Sequence, residues 1–378
     1  MVSRRGEEAR RRAAPTLTDD SVLDRATRSG RIRIIRETLA EVDLDTLVTK
    51  HGTPVLILDT QRVAEQYERL RAALPFVRWH YAVKSLPHPA VRGTIDALGG
   101  AFDVASDGEI DLLARQGVGP DRIIHTQPVK SPTEVTRACV LGIRTFVVDT
   151  PGALAKFPNA PANVSLPIRL PYRHPGATSD LNAKFGVSAI EAEVPLAQTI
   201  AQGNRIAGFS FHIGSQLDSV DAFLDATSAP LDLMEPLEHQ WQVQFTVLNI
   251  GGGFPVDYRT DVARIEQLAC ALRSLLEPRT PCLRIIVEPG RVLVADAATL
   301  LTRVVGVRDR DGEAWCFIDD AVHGSYSNVI SEGVHPVIVS RQEREGGSIR
   351  RPSAAPPATA RLSSRATIRC LDCLRVTC

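Results

Sequence analysis

Short apolar runs alternate with longer amphipathic stretches from about Thr53 to Arg291, and this alternation constrains the fold more than any other feature. The runs are apolar on both faces, as parallel strands are when helices cover both sides of a sheet. Eight or nine such runs over about 240 residues favour a (β/α)₈ TIM barrel over an open sheet. In chain order they read PVLILD, VRWHYAVK, AFDVAS, RIIHT, TFVVD, VSLPIRL, GFSFHIG, FTVLNIGGG and RIIVEPG.

After Arg291 the pattern changes to strands without long helices, as in TLLTRVVGVRD, AWCFIDD and HPVIVS, which predicts a second, β-rich domain. The first 30 residues are rich in arginine and show no apolar period, so we predict either a disordered arm or a start codon assigned too early. The predicted organisation is an arm at 1–30, an N-terminal segment at 31–53 that packs on the β-domain, a barrel at 54–295, an incomplete β-domain at 296–340 and an aberrant tail at 341–378.

Composition excludes several function classes. Lys+Arg and Asp+Glu number 44 each, so the balanced charge argues against a nucleic-acid or membrane partner. The seven cysteines are scattered, and the CxxC at Cys370–Cys373 has no second ligand pair, so we predict no metal site. Free cysteines, no signal peptide and no apolar run long enough for a bilayer predict a cytoplasmic protein.

Polar residues that end the apolar runs are the candidates for function, because active sites of such barrels lie at the C-terminal ends of the strands. These candidates are Lys84, Asp103 to Ser106, His125, Asp149, Arg169, His212 to Ser215, Gly251 to Gly253, and Glu288 to Arg291, which includes Gly290.

Lys84 ends the run WHYAVK and is followed by a proline-rich break. A lysine in a partly desolvated pocket can form a Schiff base with an aldehyde, although a lysine that snorkels to the surface would look the same. Gly251 to Gly253 would let backbone amides approach an anion such as phosphate, or would serve only as a tight turn.

Two further strand ends each carry two polar residues that could bind one ligand. Glu288 and Arg291 could meet a cationic ring nitrogen and a phosphate of one ligand, or form a local surface ion pair. His212 could stack on a planar ring and Ser215 could donate to phosphate, or the histidine could be structural. Together with Lys84 these residues describe one ligand, pyridoxal 5′-phosphate (PLP), which carries an aldehyde, a phosphate and a protonatable ring nitrogen.

Several motifs in their order resemble the fold-type III PLP-dependent decarboxylases, a family with an alanine racemase-like barrel. YAVKSLPHPAV resembles the family's YAVK motif, and FDVASDGEI, FHIGSQ, LNIGGGFP and EPGR resemble its later motifs. SDLNAKFGV (Ser179 to Val187) and FIDDAVHGSYSN (Phe317 to Asn328) also resemble family segments. The resemblance covers about residues 50–335 and is closest to the ornithine/lysine decarboxylase branch.

The resemblance implies a role for each matching residue. Lys84 would carry the PLP Schiff base, with Asp103 and Arg169 in the same pocket, and His212 would stack on the cofactor ring. Glu288 would pair with the ring nitrogen. The phosphate would be held by Ser215, Gly251, Gly252, Gly253, Gly290 and Arg291, and the distal amine of the substrate would be met by Asp319 and Asp320.

The resemblance also implies a function. The family removes CO₂ from basic amino acids, here L-ornithine to putrescine or L-lysine to cadaverine for polyamine synthesis, and its members are homodimers with shared active sites. The alternatives are a diaminopimelate-type decarboxylase, a catalytically silent homologue that binds partners, and, less well matched by the motif series, an alanine racemase. An acidic pair suits a cationic distal amine better than a second carboxylate.

The tail after Ser340 departs from the family pattern. The family's proton-donating cysteine sits in a GPTCDS-like stretch contributed by the partner subunit, and no such stretch occurs here. The codons of Ala354 to Ala360 (AAPPATA) can, with free third bases, spell Gly-Pro-Thr-Cys-Asp-Ser in a shifted frame. We therefore expect a frameshift between about Ser340 and Ala354, with a genuine divergent tail as the rival hypothesis, and sequencing this part of the gene decides between them.

Overall fold

The computed structural model describes residues 22–157, 161, 163–177, 184–201, 205–258, 262–310, 313–321, 323–332, 337–339, 361–363 and 367–369. Most of the predicted arm, the first part of the SDLNAKFGV segment and most of the predicted tail lie outside these residues. The last residues of the predicted arm, from Val22 onward, belong to a helix that continues to Ala40.

Eight parallel strands close into a barrel, which confirms the predicted (β/α)₈ class. Each neighbouring pair is parallel, and the last strand pairs with the first through Trp79 and Val287. The strands are β2 (Arg78–Ala82), β3 (Ala101–Val104), β4 (Ile123–His125), β5 (Thr145–Phe146), β6 (Ser165–Arg169), β7 (Arg205–Ser210), β8 (Val247–Asn249) and β9 (Arg284–Val287).

Helices follow the strands and cover the barrel, and their first turns are capped by side chains. Asp59, Ser106 and Ser219 each accept a hydrogen bond from a first-turn amide, and Ser131 forms a capping box with Glu134. The helices are α1 (Val22–Ala40), α2 (Leu44–His51), α3 (Thr60–Ala73), α4 (Pro89–Ala97), α5 (Asp107–Gln116), α6 (Pro132–Val140), α7 (Pro151–Leu154), α8 (Ala189–Ala201), α9 (Val220–Trp241), α10 (Ile265–Leu276), α11 (Arg291–Val294) and α12 (Ser327–Glu332).

The first apolar run lies outside the barrel, although the sequence placed it in the barrel segment 54–295. Val55–Leu58 (β1) pairs antiparallel with Ala298–Leu301 (β10), which follows the last barrel strand. The amide of Asp59 also donates to the carbonyl of Ala297 at 2.8 Å. The run is a strand, as predicted, but its partner is a segment that the sequence assigned to the second domain.

A four-stranded antiparallel sheet follows, in agreement with the predicted C-terminal β-rich domain. Its strands are β11 (Val304–Arg310), β12 (Glu313–Ile318), β13 (Arg361–Ser363) and β14 (Thr367–Arg369), in the order β11-β12-β14-β13. The last two strands lie in the tail, where the sequence shows no alternation. They pair through main-chain hydrogen bonds, which require no apolar pattern.

The main hydrophobic core lies between the barrel and its helices. It includes the fully buried Tyr81, Phe102, Phe146 and Phe209 on four different barrel strands. A separate buried cluster of Ile124, Ala207, Val247 and Ile286 lies on other positions of the barrel strands and fills the interior. Because the strands are packed on both sides, their C-terminal ends are held in fixed relative positions. Among the described residues, no helix is long and apolar enough to cross a membrane.

Candidate active site

Lys84 lies at the mouth of the barrel, in a one-turn 3₁₀ helix that directly follows β2. The register of the sheet pairs Ala82 with Asp103, so the end of β3 lies beside this turn. Lys84 Nζ is 3.9 Å from Asp103 Oδ2, and its side chain is 51% exposed whereas that of Asp103 is 1% exposed. The lysine therefore reaches from solvent toward a buried carboxyl group.

Asp103 is oriented by Thr126, whose hydroxyl donates to Asp103 Oδ1 at 2.5 Å. Its other oxygen, Oδ2, accepts no hydrogen bond from the described residues and faces Lys84. Burial raises the pKa of Asp103 well above its usual range, and the nearby charge of Glu288 raises it further. The buried surroundings of Asp103 thus favour its protonated form.

Glu288 follows β9 and is buried at the same end of the barrel. The side-chain amide of Asn249, at the end of β8, donates to Glu288 Oε1 at 2.5 Å. Asn249 Oδ1 in turn accepts from the amide of Gly251 at 2.9 Å, so one side chain orients both the carboxylate and the start of the glycine run. The glutamate is fixed in orientation before any ligand binds.

His212 lies beside the glycine run, at the end of the segment that follows β7. The amide of Gly214 donates to His212 Nδ1 at 3.0 Å, so Nδ1 carries no proton and a neutral ring carries its proton on Nε2. Burial lowers the pKa of His212 well below its usual value, and the charges of Lys84 and Arg169 lower it further. The imidazole is therefore neutral at physiological pH and offers a flat, uncharged face.

The glycine run packs against two neighbouring strand ends with no space for side chains. Gly251 and Gly253 have φ of +67° and +97°, which favour glycine. A Cβ at Gly251 would lie 2.3 Å from the carbonyl oxygen of Phe211, and one at Gly253 would lie 2.2 Å from that of Gly214. A Cβ at Gly252 would lie 2.5 Å from the Glu288 carbonyl oxygen, so three glycines are required here for close approach.

Arg291 and Ser215, the two side chains predicted to bind a phosphate, are in contact; their phosphate role stays a prediction. Arg291 Nη2 donates to Ser215 Oγ at 3.3 Å, and Nη1 donates to the hydroxyl of Tyr258 at 3.3 Å. The guanidinium also forms an ion pair with Glu332 of α12. Gln216, next to Ser215, exchanges two hydrogen bonds with the backbone of Val256 and ties the Ser215 segment to the glycine segment.

Arg169 ends β6 and is buried, with its guanidinium 5.2 Å from the ring centroid of Phe185. Its Nε and Nη2 donate no hydrogen bond within the described residues. Burial lowers the pKa of Arg169, while the carboxylates of Glu288 and Asp149 act against this shift. A buried arginine with two free donors is suited to bind an acceptor group of a ligand.

Gly290 brings the EPGR segment against the Lys84 turn. The amide of Ala82 donates to the carbonyl of Pro289 at 3.0 Å. A Cβ at Gly290 would lie 3.1 Å from Ser85 Cβ. The absence of a side chain at Gly290 therefore lets the two strand ends touch.

The acidic pair after β12 divides into two different environments. Asp319 accepts from the hydroxyl of Thr53 and from the amide of Arg303, the latter at 2.9 Å. Asp320 Oδ1 accepts from the amides of Ala321 and Ser325, and its buried Oδ2 has no hydrogen-bond partner among the described residues. Burial opposes ionisation of Asp320, but hydrogen bonds from Ser325 and Ala321 outweigh it, so its pKa is below the usual range.

No hydrogen bond or ion pair between described residues joins this acidic pair to Lys84, Asp103 or Glu288. The structure therefore brings the barrel candidates together and leaves the acidic pair in the β-rich region. His125, another strand-end candidate, is buried beside the ring of Phe146 at 6.2 Å, in the layer between barrel and helices.

Sequence reasoning missed Asn249, Thr126 and Tyr258, which orient the predicted residues. Asn249 offered a signal, because a polar side chain directly before the IGGG motif ends a buried strand. Thr126 offered the same signal after β4. Tyr258 offered none, since it lies in a loop beyond the glycine run.

The residues present fit PLP. A half-exposed lysine, a carboxylate fixed by an amide, a neutral imidazole and an arginine–serine–glycine group converge at one end of the barrel. The free donors of Arg169 and the free oxygen of Asp103 are buried polar atoms without a hydrogen-bond partner in the described chain.

Comparisons with known proteins agree with this geometry. Residues 60–295 match the model of the pyridoxal-binding domain of pyridoxal-dependent decarboxylases. A lysine/ornithine decarboxylase from Selenomonas ruminantium is 31% identical over 296 residues, which cover 77% of this chain and 74% of the relative. An ornithine decarboxylase from Schizosaccharomyces pombe is 33% identical over 285 residues, covering 74% and 64% of the two chains.

A solved structure is similar over the same region. The crystal structure of lysine/ornithine decarboxylase from Vibrio vulnificus complexed with cadaverine superposes with a TM-score of 0.74 at 34% identity. The superposition covers 79% of this chain and 78% of that chain.

Proposed function

The chain belongs to the pyridoxal-dependent decarboxylase family, and we propose that this PLP-dependent decarboxylase acts on L-ornithine or L-lysine. The products would be putrescine or cadaverine and CO₂, as a step of polyamine synthesis. The observation that carries the proposal is the approach of Lys84 Nζ to the buried Asp103 at the barrel mouth, next to Glu288. Relatives that are named for ornithine and lysine support the substrate class.

We assign Lys84 as the residue that binds the cofactor aldehyde. Its exposure leaves the amine free to move toward a ligand, and the carboxyl group of Asp103 lies 3.9 Å from Nζ. The cofactor, when bound, supplies an electron sink for the electron pair that remains when CO₂ leaves.

Glu288 would hold a proton at the ring nitrogen of the cofactor. Asn249 fixes the orientation of the carboxylate toward the pocket by donating to Oε1. The neutral His212 ring would lie against the face of the cofactor ring, since a charged imidazole next to a protonated pyridine would be repelled.

The phosphate would be bound where three segments meet. Arg291 and Ser215 supply a guanidinium and a hydroxyl, and Gly252 and Gly253 supply backbone amides without side chains. Gly251, whose amide already donates to Asn249, would allow the close approach of the glycine run. Arg291 is paired with Glu332 in the structure, so phosphate binding would exchange one anionic partner for another.

Asp320 is the better candidate for the distal amine of the substrate. Its hydrogen bonds keep it ionised, and one buried oxygen remains available. Both carboxylate oxygens of Asp319 already accept hydrogen bonds, from Thr53 and Arg303, so this residue is better suited to a structural role.

The test is CO₂ release by the purified chain with PLP, supplied in parallel with L-ornithine, L-lysine and meso-diaminopimelate. We expect release from ornithine, lysine or both, and none from the Lys84→Ala variant. Release from meso-diaminopimelate alone would favour the diaminopimelate-type alternative and refute the proposal.

A second candidate function is a catalytically silent homologue. The observation in its favour is that the sequence after Ser340 contains no GPTCDS-like stretch. A chain that binds PLP through Lys84 yet releases no CO₂ from any of the three amino acids would support this candidate. Activity restored by shifting the frame between Ser340 and Ala354 would assign the loss to the tail.

A further inference from the structure

Arg31 of α1 is tied into the barrel although it precedes the first barrel strand. Its guanidinium forms an ion pair with Asp296 and donates to the carbonyl of Asp257, and it lies 5.3 Å from the ring centroid of Tyr258. Its side chain is 12% exposed. An arginine buried to this degree with several partners is held in one orientation, unlike an ordinary surface arginine.

The partners of Arg31 belong to two segments that are separate in sequence. Asp257 and Tyr258 lie in the loop that begins with the glycine run, and Asp296 follows α11, which begins at Arg291. Gln66 of α3 also donates to Asp296 at 3.3 Å. The segment that directly follows α11 is therefore held both by Arg31 and by Gln66. Arg31 thus joins the glycine loop to the end of α11.

Tyr258 connects this junction to the proposed phosphate site. One face of its ring meets the Arg31 guanidinium, and its hydroxyl accepts from Arg291 Nη1 at 3.3 Å. The other terminal nitrogen of Arg291 contacts Ser215 and Glu332. Tyr258 therefore restrains a guanidinium whose other partners among the described residues are the hydroxyl of Ser215 and the competing carboxylate of Glu332.

We propose that Arg31 is a positioning residue for the cofactor phosphate: through Tyr258 and Asp296 it holds Arg291 in the orientation that binds phosphate. The proposal rests on the proposed role of Arg291. A prealigned arginine loses less rotamer freedom on binding than a free one, so the restraint increases affinity without touching the ligand. The helix before the barrel then contributes to cofactor retention.

The experiment compares the affinity of the apo protein for PLP and for pyridoxal, which has the same aldehyde and ring but no phosphate. Binding is followed by absorbance or by quenching of tryptophan fluorescence, and Lys84→Ala corrects for pyridoxal bound by other lysines. The variants are Arg31→Met, Tyr258→Phe and Arg291→Met. The matched control is Arg33→Met on the same helix, since Arg33 is 69% exposed and pairs only with Glu37 within the described residues.

We expect Arg31→Met and Tyr258→Phe to weaken PLP binding about tenfold, as for coupled neighbouring residues, and to leave pyridoxal binding unchanged. Arg33→Met should leave both affinities unchanged. Combining Arg31→Met with Arg291→Met should add little to the effect of Arg291→Met alone.

The outcomes separate the two levels of the proposal. If Arg291→Met does not weaken PLP binding, the proposed role of Arg291 is wrong. If Arg291→Met weakens it but Arg31→Met and Tyr258→Phe bind PLP as the unaltered chain does, the positioning role of Arg31 is refuted. Equal losses for PLP and pyridoxal in Arg31→Met would indicate a general structural role and also refute it. Arg31 borders an open cleft lined by α1, α3, residues 254–257 and the start of α10, so water can replace the guanidinium that Arg31→Met removes. Should Arg31→Met fail to fold, Tyr258→Phe, which removes one hydroxyl, decides the question.

Discussion

Asn249 ends barrel strand β8, Glu288 directly follows the neighbouring strand β9, and the Asn249 amide nitrogen donates a hydrogen bond of 2.5 Å to Glu288 Oε1. Both side chains are buried, and the same asparagine accepts from the amide of Gly251. The carboxylate proposed to meet the cofactor ring nitrogen therefore depends on one neighbour for its orientation.

Replacing Asn249 tests this dependence. Asn249→Ala leaves Glu288 Oε1 and the Gly251 amide without their partner, so we expect a loss of about 1–3 kcal/mol in the free energy of unfolding. Asn249→Asp keeps the acceptor for Gly251 but places two carboxylates at hydrogen-bond distance, which forces a proton onto one of them. We expect kcat/KM to fall about 10- to 100-fold in Asn249→Asp, by analogy with residues that orient a ligand-binding group, with a changed pH profile. A profile and rate equal to those of the unaltered chain would contradict the role of Asn249.

The glycine run should not tolerate side chains. In Gly253→Ala the new Cβ would meet the Gly214 carbonyl oxygen at 2.2 Å with φ at +97°, so we expect a loss of roughly 2–4 kcal/mol in stability, together with weaker PLP binding. The control is Gly93→Ala in α4, where no atom lies within 4 Å of the added Cβ and φ is helical. That variant should be as stable as the unaltered chain or more stable, by up to about 1 kcal/mol. Urea unfolding measures both, and equal effects of the two substitutions would refute the packing argument.

The acidic pair after β12 should separate into two phenotypes. Asp320→Asn removes the charge proposed to meet the distal amine, so we expect KM for the basic amino acid to rise about tenfold or more with little change in kcat. Asp319→Asn replaces one acceptor of Thr53 or Arg303 by a donor, so it should cost about 1 kcal/mol of stability and leave KM unchanged. Steady-state kinetics and thermal unfolding distinguish them, and the reverse assignment of phenotypes would show that Asp319 is the substrate residue.

His125 should make the fold sensitive to acid. Burial, with a smaller effect of Lys130, lowers the pKa of His125 from 6.5 to about 3. Between these values the unfolded chain binds a proton at His125 that the folded chain does not. The free energy of unfolding is therefore not reduced by this histidine above pH 6.5, and it falls as the pH drops toward 3. This group alone contributes up to about 1.4 kcal/mol per pH unit in that window.

The measurement is the free energy of unfolding in urea at pH 7, 6 and 5. His125→Leu should show a shallower decline than the unaltered chain, whereas His239→Gln, at an exposed position of α9, should decline in parallel with it. Equal slopes for all three proteins would show that His125 does not control acid sensitivity.

The barrel and its strand-end residues could be predicted because the pattern is local and the ends of parallel strands converge. Lys84, Asp103, His212 and Glu288 each end an apolar run, and closure of the barrel then brings them together. The roles of these residues remain predictions.

The remaining contacts join distant segments by packing rather than by pattern. The ion pair between Arg291 and Glu332, the hydroxyl of Tyr258 and the pairing of β1 with β10 leave no periodic trace in the sequence. The division of Asp319 and Asp320 into a structural and a free carboxylate also depends on which backbone groups lie nearby, which residue type does not reveal.

The pairing of β1 with β10 has a consequence for biosynthesis. As the ribosome delivers the chain, β1 emerges early and its hydrogen-bonding edge finds no partner until every barrel strand has been made. Closing so long a loop is slow, and an unpaired strand edge can meanwhile associate with other nascent chains. We therefore expect β1 to remain without its native partner strand until the barrel has been synthesised.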